Sequence, residues 1–341
     1  MLHLRMITPP ERTEDVVAVV ERTVGTTHLV VLRGAARVPP GDLVLCDVAR
    51  EAGDELLKAL QHLGIDKDGS IAVENIELSL SERADAAEEE APGEAADAVL
   101  WEQLTDATHE ESTLTFTYCA FMMLATMIAA CGVVLDNAIL IVGAMAVGPE
   151  FGPLAGVSVG VVQRAPRLAL RSLIALLAGF VVAMVATTVF SLGMDAIGQF
   201  QQGMLEQPRP NTGFIWQPDP LSFVVSLLAG VAGVLSLTSS KSGAMVGVAI
   251  SVTTVPAAAN AAVALSYGEF AQMWGSAAQL LLNLGGIMLA GIVTLSAQKA
   301  LWRGHPGREV PPGHRAQTPR PGGGGGPASP RAGQPPRPPP R

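Results

Sequence analysis

A glutamate interrupts a hydrophobic segment near the middle of the chain. The stretch GAMAVGPEFGP places Glu150 directly after Gly148 and Pro149 and just before Gly152 and Pro153. Proline and glycine are poor helix formers, and an acidic residue at the centre of a membrane helix costs about 2.5–3.5 kcal/mol. We therefore expect this carboxyl either to be protonated or to face water or a cation, a position suited to ion coupling.

Two other interpretations of Glu150 remain open. A neutral glutamic acid would satisfy backbone groups that the prolines leave unpaired, and a wide vestibule would place the same carboxyl in ordinary water. No Lys, Arg or His in a neighbouring hydrophobic segment is placed to pair with it.

A second interrupted segment, GAMVGVAISVTTVP, supplies neutral oxygen atoms at similar depth. The predicted partners of Glu150 in an ion or solute site are Thr253, Thr254, Pro256 and Asn260 in this segment and Asn283 in the next one. The tripeptide Gly-Ala-Met occurs in both interrupted segments, at 143–145 and 243–245. We interpret the two segments as corresponding parts of a repeated unit.

Glycines spaced four residues apart form a stripe without side chains on each interrupted segment. They are Gly148, Gly152, Gly156 and Gly160 in the first segment and Gly243 and Gly247 in the second. Such a stripe lets another backbone approach closely. We expect the two segments to pack as an inner pair; the alternative is a tightly packed bundle in which the prolines only kink helices.

Six hydrophobic segments approach or exceed the roughly 20 apolar residues that cross a bilayer. They are 114–135, 138–162, 168–193, 220–240, 243–266 and 276–300. The order of helix, tight turn, interrupted helix, short loop and helix occurs twice. Because three crossings reverse the direction of the chain, the prediction is two inverted three-helix repeats, in which corresponding interrupted segments mark a transporter-type site.

Basic residues predict how these segments are oriented. Arg and Lys follow the second, fourth and sixth segments, at Arg164, Arg167, Arg171, Lys241, Lys299 and Arg303, whereas the alternate loops contain only Arg209. Basic residues favour the cytoplasmic side of a membrane. We therefore predict a multi-pass protein of the cell (cytoplasmic) membrane with both termini in the cytoplasm.

The remaining parts of the chain are polar. Residues 1–80 alternate as βαββαβ, which predicts a small α+β ferredoxin-like cytoplasmic domain before the all-α membrane block of 114–301. Residues 81–113 hold eleven acidic residues against Arg83, and we interpret them as a solvated linker with a juxtamembrane helix near 95–107. Residues 302–341, rich in Pro, Gly and Arg, predict a disordered tail.

Several functional classes are not supported by the sequence. The three cysteines have neither metal-site nor disulfide spacing, all six histidines lie outside the hydrophobic segments, and there is no His-Glu-x-x-His motif or phosphate-binding loop. We predict no enzyme activity, no metal and no cofactor. The expected partners are the lipid bilayer, an unknown small ion or solute and further copies of the chain, with no nucleic acid.

The interrupted segments also carry a family resemblance. With the LDNA turn at 135–138, the segments GAMAVGPEFGPLAGV and SGAMVGVAISVTTVP resemble a prokaryotic membrane family, the domain of unknown function three-eight-nine, or uncharacterised hydrophobic domain. The resemblance implies the membrane fold and supplies no substrate. Around the first proline this chain has Gly148 and Glu150 where the family pattern has Ser and Leu, so a role for Glu150 would belong to a branch of the family.

Three functional hypotheses follow. The first is a secondary transporter or channel for a small ion or solute, with its site at the interrupted segments and the N-terminal domain as regulator. The second is a membrane-anchored receptor whose N-terminal domain binds a ligand. The third is a membrane scaffold that dimerises through the glycine stripes. A water path to Glu150 would favour the first, and a dry membrane block would favour the second.

Overall fold

The protein has a small antiparallel sheet at its N-terminus and long apolar helices after it. The computed structural model describes residues 1–76, 78–91, 99–238 and 252–303. Gly243 and Gly247, together with most of the predicted C-terminal tail, lie outside these described residues.

The N-terminal domain follows the predicted order of strands and helices. Its elements are β1 (Leu2–Thr8), α1 (Thr13–Arg22), β2 (Thr26–Arg37), β3 (Pro40–Val48), α2 (Arg50–His62), the short α3 (Ile65–Asp68) and β4 (Ser70–Asn75). The sheet order is β2-β3-β1-β4, and every pairing is antiparallel. Alternate residues of the central strands are buried, among them Leu4 of β1 and Val44 of β3, and they pack with Val16 of α1 and Leu56 of α2.

The acidic segment predicted to be a solvated linker contains two helices. In α4 (Glu82–Glu90), Ser81 caps the first turn, and Ala84 and Ala87 are buried while the acidic residues remain largely accessible. The N-terminal ammonium group donates a 2.8 Å hydrogen bond to Glu88 of this helix. In α5 (Trp101–Glu111), the buried face packs on the membrane block. The juxtamembrane helix predicted near 95–107 overlaps α5, whereas the acidic composition of the segment gave no sign of α4 and its small alanine face.

The described part of the membrane block contains eight helices. They are α6 (Phe116–Val134), α7 (Ala138–Val147), α8 (Phe151–Val162), α9 (Pro166–Ala196), α10 (Gln202–Glu206), α11 (Pro220–Thr238), α12 (Val255–Ser266) and α13 (Phe270–Arg303). Four of them, α6, α9, α11 and α13, are long and apolar enough to cross a membrane. The pair α7 and α8, bent by 52°, would make a fifth span. These apolar helices indicate a membrane-embedded protein.

The predicted count of six spans is therefore not reached within the described residues. The second predicted span, 138–162, is broken into α7 and α8, and only the second part of the fifth, 243–266, is described, as the twelve-residue helix α12. A proline near the start of a helix ends the preceding helical run because it lacks an N–H and restricts the residue before it. Pro149 and Pro256 stand at these two starts.

The LDNA turn between α6 and α7 is stabilised by its own side chains. Asp136 adopts a left-handed backbone conformation with φ +49°, which Asp tolerates better than most residues. The carboxamide oxygen of Asn137 accepts hydrogen bonds from the backbone N–H groups of Ile139 and Leu140. This cap satisfies two of the N–H groups that a helix start leaves without a partner, so the chain reverses within three residues.

Hydrogen bonds at the helix termini define two ends of the membrane block. At the linker end, Lys299 of α13 donates to the carbonyl of Val162 at the end of α8, and Arg171 of α9 donates to Thr113 after α5. At the loop end, where α9 finishes, Tyr267 donates to Asp195. The long helices α9 and α13 run between the two ends.

Other parts of the chain approach the first glycine stripe closely, as predicted. Most of the closest atoms belong to the end of α5, the residue after it and the start of α9, rather than to the second interrupted segment. A Cβ atom on Gly152 would lie 2.6 Å from the Cβ of Glu111, and one on Gly160 would lie 2.5 Å from the backbone nitrogen of Ala169. Gly156 is approached by Ser112 and by Ser172 of α9. All residues from Gly152 to Gly160 are buried within one chain, so this stripe is not a free surface for dimerisation.

We predict that Gly160→Ala destabilises the membrane block, because its methyl group would overlap the backbone of α9. Overpacking of this kind costs about 1–3 kcal/mol. Tryptophan fluorescence during heating of the detergent-solubilised protein should report a lower melting temperature for this variant.

The matched control is Gly143→Ala in α7, where an added Cβ lies within 4 Å of no described atom beyond its chain neighbours and the backbone of its own helix. Alanine is the better helix former, so this control should melt at the wild-type temperature or slightly above it. Equal melting temperatures for both variants would contradict the close approach of α8 and α9.

Candidate ion site at the broken helices

The break between α7 and α8 consists of Gly148, Pro149 and Glu150. The backbone N–H of Gly148 still bonds the carbonyl of Ala144, and the carbonyl of Glu150 already accepts from Leu154. The two helices therefore end and begin within three residues. Since α7 starts at the loop end and α8 finishes at the linker end, this break lies at intermediate depth in the membrane block.

The Glu150 side chain points into the protein and is 3% exposed. Its Oε1 atom accepts a 2.7 Å hydrogen bond from the hydroxyl of Thr254, whereas Oε2 is buried without a hydrogen-bond partner among the described residues. A Cβ atom on Gly148 would lie 2.3 Å from Oε2. Glycine at 148 thus leaves the space that this carboxylate oxygen occupies.

Two helix N-termini meet at this carboxyl group. Glu150 precedes α8, and Thr254, which donates to it, precedes α12. A Cβ on Gly148 would also lie 2.8 Å from the side chain of Val255, so the break packs directly against the start of α12. Helix N-termini carry unpaired N–H groups and favour negative charge. The Glu150 carboxyl group therefore lies beside two helix starts, and the Thr254 hydroxyl, rather than a backbone N–H of α8, donates to it.

The two prolines inside these helices lie where they cost few hydrogen bonds. Pro256 is the second residue of α12 and Pro153 the third of α8, so both are in first turns, whose N–H groups have no partner within the helix. Both are buried. They fix the helix starts around Glu150 and Thr254 and offer no polar atom to a ligand beyond their carbonyl groups.

Thr253, just before α12, and Asn283 of α13 adjoin this site. The Asn283 amide nitrogen lies 3.2 Å from both the carbonyl and the hydroxyl oxygen of Thr253, and donates to them. Gln279, one turn away on α13, donates to Asn283 at 3.4 Å, and its own Oε1 atom is buried without a partner among the described residues. The predicted neutral ligands Thr253, Thr254 and Asn283 are thus brought together around the start of α12.

Asn260, in contrast, serves a different contact. Its Oδ1 accepts a 2.9 Å hydrogen bond from Arg209, and its Nδ2 donates to Ser276. Arg209 is 8% exposed and also donates to Gln272 of α13 at 2.6 Å. Burial lowers the pKa of this guanidinium group. Sequence reasoning treated Arg209 as an outer-loop charge and missed its burial.

The sequence did contain a signal for these contacts. Four polar residues of α13 recur at helical spacing and form one stripe, composed of Gln272, Ser276, Gln279 and Asn283. The first residue of the stripe, Gln272, contacts Arg209 at the loop end, and the last, Asn283, contacts Thr253 beside the broken helices. Polar residues on one face of a membrane helix mark the face that avoids lipid.

Two cavities reach the broken helices from different ends. The linker-end cavity, of about 440 Å³, is lined on one side by Glu110, Glu111 and the first turn of α6, and on the other by Gly148 and Pro149. The loop-end cavity has a volume of about 320 Å³. It is lined by Asp219 and by the first turns of α11, which include Ser222, and around the start of α12 by Val252, Thr253 and Asn283. The contact between Glu150 and Thr254 lies between the residues that line these two cavities.

Four buried side-chain atoms in this region have no hydrogen-bond partner among the described residues. They are Ser112 Oγ beside Gly156, Tyr118 Oη at the linker-end cavity, Glu150 Oε2 and Gln279 Oε1. Buried polar atoms in proteins nearly always have a partner, which is often a bound water molecule. Atoms of this kind beside cavities identify the places where water or an ion would bind. Sequence reasoning missed Tyr118 and Ser112, because neither stands near the interrupted segment in the chain.

Comparison with known proteins confirms the family resemblance. Residues 145–289 match the family model described as Domain of unknown function (DUF389), a stretch that contains Glu150, Thr254 and Asn283. An uncharacterised protein of Methanocaldococcus jannaschii is 28% identical over 210 residues, which cover 62% of this chain and 63% of the relative. The match thus spans less than two thirds of that relative. No solved structure matches the chain.

We predict that Thr254→Val destabilises the protein because it removes the one side-chain donor that the buried Glu150 carboxyl has among the described residues. A hydrogen bond to a charged group contributes about 1.5–3 kcal/mol. The loss should be smaller in a Glu150→Gln background, where the buried group is neutral, so the two substitutions should show a coupling energy in a thermal double-mutant cycle.

Thr187→Val provides the control for this cycle. Thr187 is equally buried, donates to Thr126 and shares no hydrogen-bond partner with Glu150. Its effect should add to that of Glu150→Gln. Additivity of Thr254→Val with Glu150→Gln would mean that the contact does not stabilise the folded protein.

Proposed function

We propose that the protein is a secondary transporter or channel for a small ion or solute, which passes Glu150 where the broken helices meet. The observation that carries the proposal is the position of the Glu150–Thr254 contact between a cavity at the linker end and another at the loop end. A closed contact between two cavities is the arrangement that alternating access requires, because each cavity then reaches the site from one side.

The lengths of the helices support the proposed inverted repeats. In the first half, α6 has 19 residues, α8 has 12 and α9 has 31. In the second half, α11 has 19, α12 has 12 and α13 has 34. The two short helices both begin near Glu150, and they run to opposite ends, α8 to the linker end and α12 to the loop end. Opposite directions of corresponding helices are expected of inverted repeats.

The contact of α5 with the membrane block supports a regulatory role for the N-terminal domain. Trp101 and Leu104 of α5 are packed in one cluster with Val159 of α8 and Leu295 of α13. Lys299 of α13 lies 5.3 Å from the centre of the Trp101 ring. A shift of α5 would therefore act on α8, the helix that begins beside Glu150.

The orientation and assembly are part of the same proposal. The linker end would face the cytoplasm, since Arg164, Arg167 and Lys299 lie there, and basic residues favour that side. Both termini would then be cytoplasmic in a cell membrane protein. We further propose that the chain forms a homo-oligomer, uses no cofactor and performs no enzymatic reaction.

Cysteine accessibility in membranes tests whether water reaches both cavities. In a variant with Cys46, Cys119 and Cys131 replaced, Thr117→Cys should react with an impermeant thiol reagent from the linker end alone. Ser222→Cys should react from the loop end alone, because each residue lines one cavity.

The control for these variants is Val185→Cys. Val185 lies within α9, is 60% exposed and lines neither cavity, so lipid should protect it from the reagent. If Thr117→Cys and Ser222→Cys react no faster than this control, the broken helices are dry. The result would contradict transport through them and favour a receptor.

A further inference from the structure

We propose that the species which passes Glu150 is a small cation, either a proton or an alkali metal ion, and that anions and larger solutes are excluded. This inference rests on the proposed function and specifies its substrate class. Three features support it: the charges that line the two cavities, the Oε2 atom of Glu150, which has no partner among the described residues, and the narrow space beside Gly148.

The charged side chains that line both cavities are acidic among the described residues. They are Glu110 and Glu111 in the linker-end cavity and Asp219 in the loop-end cavity. Burial and the neighbouring Glu110 raise the pKa of Glu111, so a cation between these carboxylates would relieve their repulsion. A basic residue, Arg171, contacts the edge of the linker-end cavity. It donates a hydrogen bond to Thr113, which lines that cavity, and its guanidinium group lies 2.9 Å from the His109 ring.

The uncharged polar side chains lining the cavities mostly present oxygen atoms. The linker-end cavity has the hydroxyl groups of Thr113, Thr115, Thr117 and Tyr118, and the loop-end cavity has those of Ser222 and Thr253. Hard cations prefer oxygen ligands of this type, and hydroxyl groups also bind protonated water. Tyr118 Oη is itself buried without a partner among the described residues.

At the contact between the cavities, the protein supplies the acidic group of Glu150. One of its oxygens accepts a hydrogen bond from Thr254, and the N-termini of α8 and α12 adjoin it. In its protonated form this group releases a proton, and in its ionised form it attracts a cation and repels an anion at short range in a medium of low dielectric constant. The free oxygen, Oε2, offers an acceptor to a cation or to a proton.

The space beside Oε2 limits the size of the permeant species. An added Cβ on Gly148 would lie only 2.3 Å from Oε2 and 2.8 Å from Val255, and Glu150 is 3% exposed. A sugar or an amino acid would have to separate α7, α8 and α12 widely to pass this point. A proton or an alkali ion requires only a small displacement of the Glu150–Thr254 contact.

The test is a flux assay on the full chain reconstituted into liposomes, with four separate readouts. A pH-sensitive dye reports proton movement, alkali-selective dyes report sodium and potassium, a quenched dye reports chloride, and light scattering reports the uptake of glycerol. We expect flux of either protons or alkali metal ions, and the separate dyes tell the two apart. We expect no flux of chloride or glycerol. Glu150→Gln should reduce that flux roughly tenfold or more, since it removes the charged ligand.

The matched control is Glu206→Gln, an identical chemical change at an exposed residue that lines neither cavity, and its flux should equal that of the wild type. Wild-type cation flux in Glu150→Gln would overturn the role of Glu150. Chloride or glycerol flux without cation flux would overturn this inference and leave the transport proposal standing. The absence of all four fluxes from protein that elutes and melts as a folded species would overturn this inference, and it would overturn the proposed function as well if Thr117→Cys and Ser222→Cys were also protected from the thiol reagent.

Discussion

The buried carboxyl group of Glu150, which has one side-chain hydrogen-bond donor among the described residues, explains how the helices of the membrane block are arranged. Removing a carboxylate from water costs several kcal/mol unless charges, dipoles or donors replace the lost hydration. Around Glu150 the replacements are the Thr254 hydroxyl and the starts of α8 and α12. Both helices must therefore begin at this point, which explains why each has a proline in its first turn and is only twelve residues long.

Close packing of glycine residues follows from the same requirement. A short helix that starts at mid-depth has few side chains with which to anchor itself, and α8 compensates by packing through its backbone. Glu111, Ser112 and Ala169 all approach glycines of α8 closely. Since the first two belong to the end of α5 and the residue after it, the linker contributes directly to holding the helix that begins beside Glu150. Regulation by the N-terminal domain would therefore need no contact with the ion itself.

The loop end of the block is organised by a second buried charge. Arg209 lies in the loop after α10 and reaches Asn260 of α12 and Gln272 of α13. Asp136, in the turn before α7, accepts hydrogen bonds from Asn211 and Thr212 of the same loop. Burial alone would raise the pKa of Asp136, but the hydrogen bonds from Thr212 and Asn211 outweigh it and lower the pKa. One loop thus connects the starts of α7 and α13 with α12, the helix that begins directly after Thr254.

The sequence by itself determined the local features of this protein. Alternation and helical spacing predicted the βαββαβ order of the N-terminal domain, and the run of Gly148, Pro149 and Glu150 marked the break, because backbone preferences and hydropathy act over a few residues. The sequence did not indicate that α5 covers the glycine stripe or that Asn260 binds Arg209 rather than joining Glu150. Those contacts join residues far apart in the chain, and short-range patterns carry no record of which surfaces will meet. The sequence placed Thr254 among five predicted partners of Glu150, and the meeting of two helix starts at one buried point selects Thr254, 104 residues later, as the one that donates to the carboxyl group.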